Sequence, residues 1–198
     1  TMTFGEQNSA TEAYLQINIA LNAGVNFIDT AESYPVPPKA DTCGLTESFI
    51  GDWLRHSGRR NDVVLATKAT GPGVHVPYLR GGESRHTAAD LAHALEGSLR
   101  RLGTDYIDLY QLHWPARPTN TFGQLGYKPA QHEPPTNLEG TLRALERFVA
   151  DGKNLLAAFH VCDRDDGRFV EHDPTSFDVN KGVRGAQIDC HVGRQNTK

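Results

Sequence analysis

The chain has 198 residues, enough for one domain with some sequence left over, and a hydrophobic content of 38% allows a buried core. Lys and Arg number 20 against 24 Asp and Glu, a formal charge of −4, so the basic excess of a phosphate-backbone binder is missing and no nucleic acid is expected as partner. The longest apolar run, Leu155 to Phe159, falls far short of the ~20 residues of a membrane helix, and no membrane is expected. Three widely spaced cysteines without a CxxC, Cys43, Cys162 and Cys190, suit a reducing, cytoplasmic compartment.

Ser9 and Glu12 have capping-box spacing, and Tyr14, Ile17 and Leu21 follow at helical intervals up to Gly24, which predicts a first helix. Val25 to Asp29 is a short β-rich run ending in a charge and predicts a buried strand. Beyond a loop with Pro35, Pro37 and Pro38, the stripe Phe49, Ile50, Trp53 and Leu54 predicts a helix over 46–54 that Gly58 ends. Val63 to Lys68 predicts the next strand. Thr87 and Asp90 mark another cap, with Leu91, Leu95, Leu99 and Leu102 on one face and Gly103 as the stop. Tyr106 to His113 predicts a third strand, and Leu138, Leu142, Leu145, Phe148 and Val149 a last amphipathic helix closing near Gly152.

Strands alternating with helices imply an α/β protein of parallel βα units. The dinucleotide fingerprint GxGxxG fails, because Val76 stands where the glycine after Gly71-Pro72-Gly73 belongs, and a βα barrel is favoured over a doubly wound sheet. In a barrel the chemistry gathers where strands end, so Asp29, Lys68 and His113 are expected to face one mouth. The 23 residues from Trp114 to Thr136 are too many for an idle connection and form a candidate substrate loop.

Tyr34 lies one short turn beyond Asp29. A phenol titrates near ~10, and a neighbouring ammonium lowers that value. Lys68 is expected to supply the ammonium, Asp29 to hold and orient it, and His113 to hydrogen-bond a carbonyl oxygen beside the Tyr34 hydroxyl. Such a set protonates a carbonyl as hydride arrives. No metal is expected: His160, Cys162, His172, Cys190 and His191 show no zinc-finger spacing, and the stretch from Asp163 to Gly167 misplaces the glycine of a calcium loop. The other eight histidines, among them His56, His75, His86 and His93, share no face and are given no functional role.

The segments Phe27–Tyr34 (FIDTAESY) and Asp105–Trp114 (DYIDLYQLHW), with the strand-end Lys68, resemble the aldo-keto reductases, and most closely their Tas-type NADP(H)-dependent members. Thr1–Gly5, Tyr34–Pro38, Gly44–Glu47 and His113–Asn120 strengthen a match that runs from Thr1 to about Lys153. The resemblance implies a (β/α)8 TIM barrel, of which residues 1–160 supply the first four to five βα units. It also implies NADPH-dependent reduction of an aldehyde or ketone, a small-molecule carbonyl substrate. Carried over, Tyr34 is the general acid, Lys68 its pKa-lowering partner, Asp29 the orienter of the lysine and His113 the carbonyl-positioning group. Thr1, Met2, Thr3 and Asp29 match positions that approach the nicotinamide and its ribose.

The same resemblance places Thr1 within the first barrel strand and calls for a strand ending in Ser-Asn after Lys153, where the chain reads Asn154 to His160 without that pair. Residues 161–198 contain no leucine and no helical stripe, which predicts an irregular, mobile tail. A truncated or frame-altered reading frame with compromised activity is expected, together with self-association through the open barrel edges. Two other readings are a non-catalytic half-barrel and a regulatory binding module. The second would keep NADPH binding and gain a protein partner.

Overall fold

A computed structural model describes residues 1–73, 76–116 and 137–158. Among them the chain runs α1 (Ala10–Asn22), β1 (Phe27–Asp29), α2 (Leu45–Ser57), β2 (Val64–Ala69), α3 (Ala88–Leu102), β3 (Ile107–Leu112), α4 (Leu138–Ala150) and β4 (Asn154–Ala158), with short 3-10 turns at Arg60–Asp62 and Arg80–Gly82. The strands pair in parallel, in chain order β1-β2-β3-β4. A parallel neighbour can be reached only by crossing back over the sheet, and α2, α3 and α4 make those crossings.

Local sequence explains the helix ends. Ser9 with Glu12, and Thr87 with Asp90, form reciprocal capping boxes at the starts of α1 and α3, which satisfy two otherwise orphaned N–H groups each. Gly58 and Gly103 close α2 and α3 at φ 67 and 64, a left-handed turn that other residues adopt only with strain. Ile17, Ile50, Trp53, Leu91, Leu95, Leu102, Leu145 and Phe148 from the helices gather with Leu65, Ile107 and Tyr110 from the sheet in one buried cluster. Charge is also buried here: Glu47 on α2 accepts from Thr67 Oγ1 on β2 (2.6 Å) and from Arg101 Nε on α3 (2.7 Å), tying three elements together.

The structure departs from the expected pattern at three places. The first strand covers only Phe27–Asp29, and Val25 and Phe27 are 58% and 50% exposed. Side chains alternate between the two faces of the sheet, so Ile28 turns to the buried face while Phe27 points to the opposite one and meets solvent. In α4 the expected stripe loses Leu138, which is exposed in the first turn, and Thr141 and Ala144 take inward positions beside Leu145 and Phe148. Residues 1–8 form no barrel strand. Local hydrogen bonds, from Phe4 N–H to Thr1 O and from Glu6 N–H to Thr3 O, coil them into turns. His75, most of the Trp114–Thr136 loop, His160 and residues 161–198 lie outside the described residues. No described helix is long and apolar enough to cross a membrane.

Candidate active site

Parallel pairing sets the C-terminal ends of β1, β2 and β3 side by side, and the candidate residues come from those ends. Asp29 is the last residue of β1, Lys68 lies opposite Gln111 across β2 and β3, and His113 follows β3 with its N–H donating to Ala69 O at 2.8 Å. Tyr34 stands in the loop beyond β1, where its N–H donates to Ala31 O at 3.1 Å.

The four side chains meet. Lys68 Nζ is 2.6 Å from Asp29 Oδ2 and donates to Thr30 O at 2.8 Å. The lysine is 13% exposed and the aspartate 45%, so the pair opens to solvent through its acid. Lys68 Nζ also lies over the Tyr34 ring, 5.2 Å from its centre. The Tyr34 ring meets the His113 imidazole edge to face with centroids 5.5 Å apart, and Trp114 packs on that imidazole at 4.8 Å.

Electrostatics at Tyr34 run opposite to the expectation. Burial and the Asp29 carboxylate push its phenol up from the ordinary value. Lys68 gives its hydrogen bonds to Asp29 and Thr30 and lies over the ring, and the aspartate's own charge opposes a phenolate. Tyr34 is therefore a fully protonated donor at neutral pH. Burial, followed by the Lys68 charge, lowers His113 to about 4 despite the opposing Asp29, so its imidazole is neutral. Its Nδ1 is buried with no hydrogen-bond partner among the described residues.

A titration of His113 ring signals by NMR is expected to show a midpoint near 4. An unfolded imidazole titrates near ~6.5, so between these values acid protonates the unfolded chain first. This group's contribution to stability then falls as pH drops through that window and is constant above it. A midpoint at the ordinary value would contradict the buried, lysine-facing environment.

Three contributors were not singled out from the sequence. Gln111 Nε2 donates to Asp29 Oδ1 at 3.2 Å; it shares a β3 face with His113, and the period-two rule could have found it. Glu32, in the middle of the FIDTAESY segment, is bound by Arg80, 48 residues away, and nothing local announces that pair. His86, given no role, is 2% exposed with its Nε2 2.8 Å from Trp114 O.

The groups at this end suit the ring and ribose of a nicotinamide cofactor. Thr1 Oγ1 donates to Asp29 O at 2.6 Å, and Met2, 52% exposed, is held by Val36 N–H on its carbonyl at 2.8 Å. The Asp29 carboxylate is half exposed, and the His113 Nδ1 is buried without a hydrogen-bond partner among the described residues. Thr3 donates its hydroxyl to Asn8 Oδ1 at 3.1 Å.

Parallel βα units with a proton-handling cluster at the carboxyl ends of the strands define a barrel-type site. The chain belongs to the aldo/keto reductase family, whose model matches residues 1–159, and its α/β sheet is part of that family's TIM barrel. It is 46% identical to Protein tas of Escherichia coli (strain K12) over 153 residues, which cover 77% of this chain and 44% of that protein. Among solved structures, aldo-keto reductase AKR11C1 from Bacillus halodurans in its holo form is 30% identical, with a TM-score of 0.53 over 76% of this chain and 42% of that one. The thermostable aldo-keto reductase Tm1743, solved with the inhibitor epalrestat, is 28% identical with a TM-score of 0.52, covering 78% and 43%. The chain spans less than half the length of these relatives.

Proposed function

We propose that this chain provides the proton-handling side of a cytoplasmic oxidoreductase site that reduces a small aldehyde or ketone to the alcohol with NADPH. The observation that carries this reading is the placement of a protonated Tyr34 against a neutral His113, 5.5 Å apart and beside the Lys68–Asp29 pair. Bound NADPH would supply the hydride, with Thr1, Met2 and Asp29 holding its ring end. Tyr34 releases its proton to the carbonyl oxygen as that oxygen gains charge, and the Lys68 ammonium steadies the phenolate left behind. A ring N–H of neutral His113 donates to the same oxygen and fixes its approach. Asp29 keeps Lys68 in place, and Gln111 keeps Asp29 in place.

Because Tyr34 stays protonated past its ordinary value and His113 is neutral above about 4, the rate of reduction is expected to be level from roughly pH 5 to 9 and to fall only as the phenol ionises. A loss centred near pH 6 to 7 would point to a different acid. The reading is tested by aldehyde-dependent loss of NADPH fluorescence. Two forms are compared: the chain as it stands, and the chain extended by the segment that Protein tas carries beyond the match. The residues proposed to bind the cofactor are those that would meet its ring end, so the extended form is expected to bind NADPH more tightly. Reduction in either form that disappears in Tyr34→Phe supports the reading; no reduction in both overturns it.

A further inference from the structure

We propose that Arg80 is a positioning residue for Tyr34: its guanidinium, forked onto the buried Glu32 carboxylate, locks the loop that carries Tyr34 onto the segment that follows Lys68. The inference rests on the reading of Tyr34 as proton donor, and it concerns how that hydroxyl is held.

Glu32 lies two residues before Tyr34 and is 2% exposed. Arg80 Nη1 donates to Glu32 Oε2 at 2.9 Å and Nη2 to Oε1 at 2.5 Å, while Nη2 also donates to Thr70 O at 3.1 Å. Thr70 N–H donates to the same Glu32 Oε1 at 2.5 Å, and Glu32 N–H donates to Lys68 O at 3.2 Å. The result is a closed set of bonds through Glu32, Lys68, Thr70 and Arg80. Tyr34 leaves it on one side and the Lys68 side chain on the other. Charge-assisted forks of this kind are short and directional, and a buried acid that loses its partner is heavily penalised, so neither loop shifts independently.

The backbone supports a purpose beyond filling space. Arg80 has φ 50 and His86 φ 53, a left-handed conformation uncommon for residues other than glycine and worth reading as a functional constraint. Both lie between β2 and α3. Arg80 reaches the Tyr34 loop, whereas His86 Nε2 contacts Trp114 O at 2.8 Å and Pro72 O accepts from the Trp114 indole at 2.8 Å. One connection therefore holds the loop bearing Tyr34 and the residue next to His113, the two rings whose spacing matters.

The test is a pH titration by NMR of the full chain with carbon-labelled tyrosine, comparing Arg80→Gln and Arg80→Lys with the parent. Tyr34 owes its raised midpoint to burial and to Asp29. A loosened loop should bring that midpoint down by about half a unit or more in Arg80→Gln, with a smaller shift in Arg80→Lys, which keeps the charge but not the fork. Tyr14 on α1 should keep its own midpoint. A folded variant whose Tyr34 midpoint matches the parent within about a tenth of a unit, even at a lower melting temperature, makes Arg80 structural only and overturns the proposal. Should both variants fail to fold, Glu32→Gln, which keeps an oxygen acceptor, is read by the same criterion. The titration needs neither NADPH nor substrate, so failure of carbonyl reduction and failure of this positioning role are separate results.

Discussion

Replacing Tyr34 by Phe is expected to slow carbonyl reduction about 10²- to 10⁴-fold, the usual contribution of a positioned proton donor, while NADPH affinity changes by less than about twofold. The substitution removes one oxygen. The ring keeps its edge-to-face contact with His113 and its place beneath Lys68, so the packing around it and the Lys68–Asp29 pair are preserved. A lost rate then reports the missing proton and not a collapsed site. Single-turnover hydride transfer at saturating aldehyde is the measurement, made on whichever form reduces carbonyls. A mutant that keeps most of the parent rate would remove Tyr34 from the donor role and leave His113 as the nearest alternative.

Gly51→Ala is expected to destabilise the fold by about 1–2 kcal/mol, although alanine is the better helix former. A Cβ at residue 51 would stand 2.2 Å from Arg101 O and 2.9 Å from Leu102 Cα. Both are backbone atoms of α3, which no rotamer change can move aside. Alanine in a helix interior gains about 0.5–1 kcal/mol over glycine, whereas overpacking a close contact costs about 1–3 kcal/mol and sometimes more. The clash wins. To relieve it α2 must retreat from α3, which loosens Ile50, Trp53 and Leu54 against Leu95 and Leu102 in the common core and pulls Glu47 from Arg101. Chemical denaturation is the check. A midpoint equal to or above that of the parent would mean the two helices have room the structure does not show.

Much of the helix and strand order is legible along the chain because it depends on near neighbours. Ser9 and Thr87 cap the helices they precede through residues three positions on, and Gly58 and Gly103 stop α2 and α3 through their own backbone freedom. Features that depend on the neighbouring element are misjudged. Phe27 reads as a core residue, being apolar in a strand, yet it points to the face opposite the buried Ile28 and is half exposed. Leu138 reads as part of the α4 stripe and is exposed at its first turn.

At the candidate site the division is similar. The sequence alone determines that Asp29, Lys68 and His113 share one end of the sheet, because parallel strands joined by helices bring all their carboxyl ends to the same side, and it places Tyr34 one turn beyond. Only the tertiary structure decides what those groups are as acids and what holds them. Charge acts through distance and desolvation rather than sequence separation. Lys68 therefore turns to Asp29 and Thr30 and lies over the Tyr34 ring, the phenol is pushed up instead of down, and Arg80 reaches across 48 residues to secure Glu32.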